Sequence, residues 1–143
     1  MTPLPAARSR YPPGTMSYTF DKTLETSFDD AVARTRAKLA EAGFGVLTEI
    51  DVQATMKKKL DEDMPAYLIL GACNPPSAWK AIGAEPRIGA MLPCNVIVRD
   101  LGEGKIEVSA VDPIASMKAI ENTELGAVAS SVQSMLQGVI EGL

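Results

Sequence analysis

The sequence predicts an α+β fold of two layers: a mixed sheet of about five strands packed by helices, the longest of them at the C-terminal end. Three observations carry this. Segments of strand chemistry alternate with helical apolar stripes in the order β-α-β-α-β-α-β-β-α. Gly102-Glu103-Gly104 separates two β-rich runs and marks a hairpin. The segment after Asn122 keeps Leu125, Val128, Ala129, Val132, Leu136, Val139 and Ile140 on one face at a period of 3.6. A length of 143 residues, 46% hydrophobic and 22% charged, suits one globular domain.

Each element has a local reason. Thr19-Phe20-Asp21-Lys22-Thr23 is rich in strand formers. Ser27 followed by Asp30 resembles a capping box, and Phe28, Ala31, Val32, Thr35 and Leu39 recur at helical spacing until Gly43. Val46 to Ile50 reads as a second strand. Asp51 caps a short helix over Val52–Leu60, with Lys57, Lys58 and Lys59 in a last turn that suits the helix dipole. Tyr67-Leu68-Ile69-Leu70 is continuously apolar and predicts a strand buried on both faces. Asn74 then caps a helix opened by Pro75. Cys94 to Val98 forms another strand, and alternation of Ile106, Val108 and Ala110 with Glu107 and Ser109 predicts a sheet with one wet face. Either Asn122 or Thr123 caps the final helix.

Charge and composition exclude several functions. A net charge of −4 argues against bulk binding to nucleic acid or anionic membrane. The chain has no histidine, so Ser-His-Asp and Cys-His systems, His-ligated zinc and His acid–base catalysis are unavailable. Residues 1–16 hold two arginines, no acid and a cluster of prolines. They read as a disordered extension or as an upstream start with Met16 the initiator, leaving 17–143 as a single α+β domain. No apolar run approaches the ~20 residues of a membrane span, and a soluble cytoplasmic protein is expected.

Chemistry concentrates in two segments, Gly71-Ala72-Cys73-Asn74-Pro75 and Leu92-Pro93-Cys94-Asn95, which hold both cysteines. Cys73 falls where a strand meets a helix N-terminus, where partial positive charge and free amides stabilise a thiolate or an anion. It is a candidate nucleophile, with Cys94 as its resolving partner. The simpler reading of each cysteine, and the favoured one, is a small buried hydrophobe, with Asn74 fully explained as a helix cap. Arg87 lies between the two segments and either binds a carboxylate or phosphate beside Cys73 or pairs with Glu85. Asp51 and Glu49 are candidate general bases, with Asp51 also explained as a helix cap and Glu49 as an outward strand residue. A Cys73–Cys94 disulfide is disfavoured in a reducing compartment. Their spacing fits neither a CxxC redox motif nor a paired-CxxC zinc site. Two thiolates and a methionine suit a soft ion such as Cu(I), but seven methionines form no Met-rich motif, and no metal site or cofactor is expected.

Val46-Leu47-Thr48-Glu49-Ile50-Asp51-Val52, Lys59, Ile69-Leu70-Gly71-Ala72-Cys73-Asn74-Pro75, Glu85-Pro86 and Leu92-Pro93-Cys94-Asn95 together resemble the family called domain of unknown function 302. The resemblance spans about residues 17–143. It implies a small α+β domain that tends to form homodimers, and it implies no particular activity. It adds Lys59 to the candidate ligand contacts, beside Asn74, Asn95, Arg87 and Asp51. The expected function is a binding or sensing module for a small polar or anionic ligand near the two Cys-Asn segments. The alternatives are a thiol enzyme using Cys73 and Cys94, or a homodimer whose function lies in its surface.

Overall fold

The computed structural model describes residues 17–143, so the expectation for residues 1–16 lies outside the described residues. Strands β1 (Thr19–Glu25), β2 (Gly45–Asp51), β3 (Tyr67–Cys73), β4 (Cys94–Gly102) and β5 (Lys105–Val111) form one sheet in the order β1-β5-β4-β3-β2. Helices α1 (Phe28–Glu41), α2 (Val52–Leu60), α3 (Pro75–Ala84), α4 (Pro113–Ser116) and α5 (Thr123–Glu141) join them, with a 3-10 turn over Pro86–Met91. The α+β class and the order of the main elements are those expected. The short helix α4 and the 3-10 turn are additions, each opened by a proline at its first turn.

The sheet is antiparallel in all four pairings, where a mixed sheet was expected. A parallel neighbour needs a crossover that returns the full length of a strand. Only α1, with 14 residues or about 21 Å, is long enough among the first three helices. It carries the chain from one edge strand to the other, so β1 and β2 run in the same direction without touching. The insertions bearing α2 and α3 instead leave and re-enter at the same end of the sheet, as hairpin loops do.

One face of the sheet is the core. Leu68, Leu70, Ala72, Cys94, Val96, Val98, Ile106, Val108 and Ala110 are buried there with Ala31 and Leu39 of α1 and Val132, Leu136, Val139 and Ile140 of α5. The opposite face carries Ile50, Ile69, Ile97 and Ser109 in one cross-strand row. Hence β3 is fully buried on one side only: Leu68 and Leu70 are buried, while Tyr67 and Ile69 are half-buried. A second, smaller core of Ala81, Ile88, Met117, Leu125 and Ala129 joins α3, the 3-10 turn and the first half of α5. The long helix therefore packs on two partners, the sheet with its C-terminal half and other helices with its N-terminal half.

The caps hold these parts together. Ser27 accepts from the Asp30 N–H as expected, but the Asp30 carboxylate accepts from the Thr26 hydroxyl at 2.6 Å rather than closing a capping box. Asn122, not Thr123, caps α5, and its Nδ2 donates to the Ala84 carbonyl at 2.8 Å, tying α5 to the end of α3.

Candidate functional site

The two Cys-Asn segments lie side by side because β3 and β4 pair with Ala72 opposite Cys94. Cys73 is the last residue of β3 and Cys94 the first of β4. Gly71 permits the close approach here. A Cβ on it would lie 2.1 Å from Thr48 Oγ1 and 2.7 Å from Pro93 Cγ, so only glycine lets β2 and the residue before Cys94 close over β3. Asn74 follows. Its Oδ1 accepts from the Ser77 N–H at 3.1 Å and from the Ser77 hydroxyl at 2.6 Å. Its Nδ2 donates to the Gly43 carbonyl at 3.0 Å.

A cavity of about 310 Å³ opens behind these segments, between the main core and the smaller one. Cys73, Asn74 and Cys94 line it, with Met117 after α4 and Leu125, Ala129 and Val132 of α5. Among the described residues that line it, none is charged. Leu47 and Ile82 form its apolar mouth, 67% and 48% exposed. Leu47 is the extra residue of a β-bulge between Val46 and Thr48, which turns its side chain toward the opening.

Both thiols are free. Burial pushes the Cys94 thiol up from 9.0 to about 11, and the nearby Cys73 adds to this through its charge. Cys94 is therefore a neutral thiol at physiological pH and a poor resolving nucleophile. The N-terminus of α3 supplies less to Cys73 than its position suggested. Pro75 and Pro76 have no N–H, and Asn74 takes the N–H of Ser77. The free amides that would stabilise a thiolate or an anion there are absent or occupied.

The structure brings Cys73, Asn74 and Cys94 together and leaves the other candidates outside. Asn95 is exposed on the opposite sheet face, across from Gly71. Arg87 is exposed on the 3-10 turn, without an ion pair to Glu85 among the described residues. Asp51 is engaged as the α2 cap, accepting from the Ala54 N–H at 2.9 Å. Lys59 is exposed in the last turn of α2 and does not line the cavity. Leu47, Met117 and the first half of the α5 stripe are lining residues that sequence reasoning missed. Their only sequence signal is apolarity, which a core position produces equally well. No cluster of three or more His, Cys, Asp or Glu that could hold a metal occurs among the described residues.

An antiparallel five-stranded sheet with helices on one face and an apolar cavity at one strand end defines a small α+β domain. The chain belongs to the family described as Domain of unknown function DUF302, whose model matches residues 20–143. Of solved structures, it is similar to the crystal structure of an uncharacterized conserved protein DUF302 from Bacillus stearothermophilus. The TM-score is 0.81 at 21% identity, covering 88% of this chain and 98% of that one, a likeness of fold. No curated protein matches. Among the described residues no helix is long and apolar enough to cross a membrane.

Proposed function

We propose that this protein is a small-molecule-binding domain whose site is the cavity walled by Cys73 and Cys94, and that its organic ligand is apolar. The observation that carries the reading is the cavity itself, about 310 Å³ with no charged lining side chain. That volume lies at the small end of ligand pockets. An apolar ligand replaces the polar or anionic one expected from sequence, because Asn95, Arg87 and Lys59 lie outside the cavity and the Asn74 amide is already bonded. The missing amides at α3 and the neutral Cys94 weigh against a thiol enzyme. Free cysteines accord with a reducing, cytoplasmic setting.

The test uses the full chain and the neutral dye N-phenyl-1-naphthylamine. Dye fluorescence should rise on binding and should be lost in Ala129→Phe, which places a ring inside the cavity. Equal dye binding by a folded Ala129→Phe variant would refute the reading.

A second reading concerns self-association. Ile50, Ile69 and Ile97 form an apolar row on the sheet face away from the main core, and Ile50 is 49% exposed. This row supports a homodimer formed sheet to sheet. Ile97→Lys should convert a dimer to a monomer in light scattering. A wild-type monomer at micromolar concentration refutes it.

A further inference from the structure

We propose that the cavity end of the sheet is a docking surface for a lipid bilayer with zwitterionic headgroups, met peripherally. The inference goes beyond the apolar-ligand reading, since the surface stands whether or not the cavity is filled. Eight large apolar side chains are exposed on the described residues, and six of them lie at this one end: Tyr18, Leu47, Trp79, Ile82, Met91 and Ile114. The strand register places them together. Strands β1 and β2 begin here, opposite Val111 at the end of β5 and Cys73 at the end of β3, and Ala72 of β3 pairs with Cys94 at the start of β4. Tyr18 precedes β1, and its carbonyl accepts from the Asp112 N–H just after β5. Leu47 is near the start of β2, Trp79 and Ile82 follow β3 on α3, Met91 precedes β4 and Ile114 follows β5 on α4. Of the eight, only Ile50 and Leu60 are exposed elsewhere.

Helix α3 shows the pattern most clearly. Its exposed residues are Pro75, Pro76, Trp79, Lys80, Ile82 and Gly83, so one charge stands on a face that a water-facing helix normally fills with charge. Trp79 is 82% exposed and lies three residues before Ile82 of the cavity mouth, a spacing of helix neighbours. Tryptophan and tyrosine have an apolar body and a polar edge, and they collect at headgroup depth. Charge selects the kind of surface. The connecting segments at this end carry Lys80, Arg87 and Lys118 against Glu85, Glu121 and Glu124, with Asp112 engaged as the α4 cap. Matched charge complements headgroups that bear both signs. An anionic surface needs an excess of cations, which neither this end nor the whole chain, at −4, provides. The apolar rim then enters the boundary between headgroups and acyl chains, and an apolar ligand reaches the mouth at Leu47 and Ile82 without crossing water.

The test is flotation of the full chain with phosphatidylcholine vesicles, with Trp79 as a built-in probe because it is the only tryptophan. On vesicles its emission should shift to the blue and resist quenching by acrylamide. Trp79→Ser should lower the partition coefficient about tenfold and Ile114→Ser about threefold, the scale of an exposed apolar side chain leaving water. Neither residue lines the cavity, so both variants should keep dye binding in vesicle-free solution. Leu60→Ser, which removes a leucine 64% exposed away from this end, should float like the wild type. Added phosphatidylglycerol should weaken flotation. Unchanged Trp79 emission on vesicles, an equal loss in Leu60→Ser, or stronger flotation with phosphatidylglycerol overturns the proposal. So does a Trp79 already shielded from acrylamide without vesicles, which would put a second copy of the chain on this end. A wild-type protein that floats but binds no dye keeps the surface and removes only the cavity reading.

Discussion

Replacing Gly71 by alanine tests the close approach that shapes the cavity end of the sheet. The new Cβ would sit 2.1 Å from Thr48 Oγ1 and 2.7 Å from Pro93 Cγ, both inside the 3.0 Å that side chains require. Thr48 is short and β-branched, so turning its hydroxyl away swings its methyl group into a new position. Pro93 is a ring on the segment that leads into Cys94 and yields only by moving backbone. Overpacking of this kind costs about 1–3 kcal/mol. Removing a glycine from the unfolded chain returns about 0.4–1 kcal/mol. The net expectation is a loss of about 1–2 kcal/mol, read in urea as a lower midpoint at unchanged slope. The same loss lowers Tm by roughly 3–10 °C for a domain of this size. Thr48→Ala, at an exposed position, should cost little alone and should recover more than half of the loss in the Gly71→Ala background, since the remaining clash is with Pro93. A Gly71→Ala protein as stable as the wild type, or one that Thr48→Ala does not rescue, would show that the packing does not act as described.

Other substitutions probe the cap, the core and the buried thiol. Asn74→Ala removes the acceptor for the Ser77 N–H and the bond to Gly43, and should cost about 1–2 kcal/mol in urea unfolding. Asn74→Asp keeps the acceptor and should cost clearly less. Leu136→Ala, at a fully buried position beneath the sheet, should cost about 2–5 kcal/mol, and a loss under 1 kcal/mol would contradict its place in the core. Because the folded protein holds the Cys94 proton up to about pH 11 while the unfolded chain releases it near 9, the folded state binds more protons in that window. Stability should therefore fall as pH rises from 9 to 11, by up to about 1.4 kcal/mol per unit. Cys94→Ala should show a shallower fall over the same range, and identical slopes would contradict a buried neutral thiol.

Much of this architecture was legible in the chain because its signals are local. Ser27, Asp51, Asn74 and Asn122 each bond the backbone three residues ahead, so the start of a helix is written in nearby residues. The β4–β5 hairpin is equally local, resting on Gly102, Glu103 and Gly104, all at positive φ. The two cysteines stood out by their repeated Cys-Asn setting, and β3 and β4 do place them together.

What depended on distance was decided only by the tertiary structure. Strand direction followed from the lengths and exit points of the connecting helices, and those made the sheet wholly antiparallel. The alternating strands show which residues share a face, but not which strand lies alongside, so Asn95 could be aligned with Cys94 in sequence and yet lie on the other side of the sheet. The stripe of α5 marks a buried face without naming its partner. Leu136 and Ile140 meet the sheet, whereas Leu125 and Ala129 meet the smaller core and line the cavity. Apolarity records burial and carries no address. Sequence alone thus determined the elements, their caps and the pair of thiols, because those rest on contacts within a few residues. The cavity, its lack of lining charge and the place of Met117 in its wall arise between segments far apart in the chain, and packing alone brings them together.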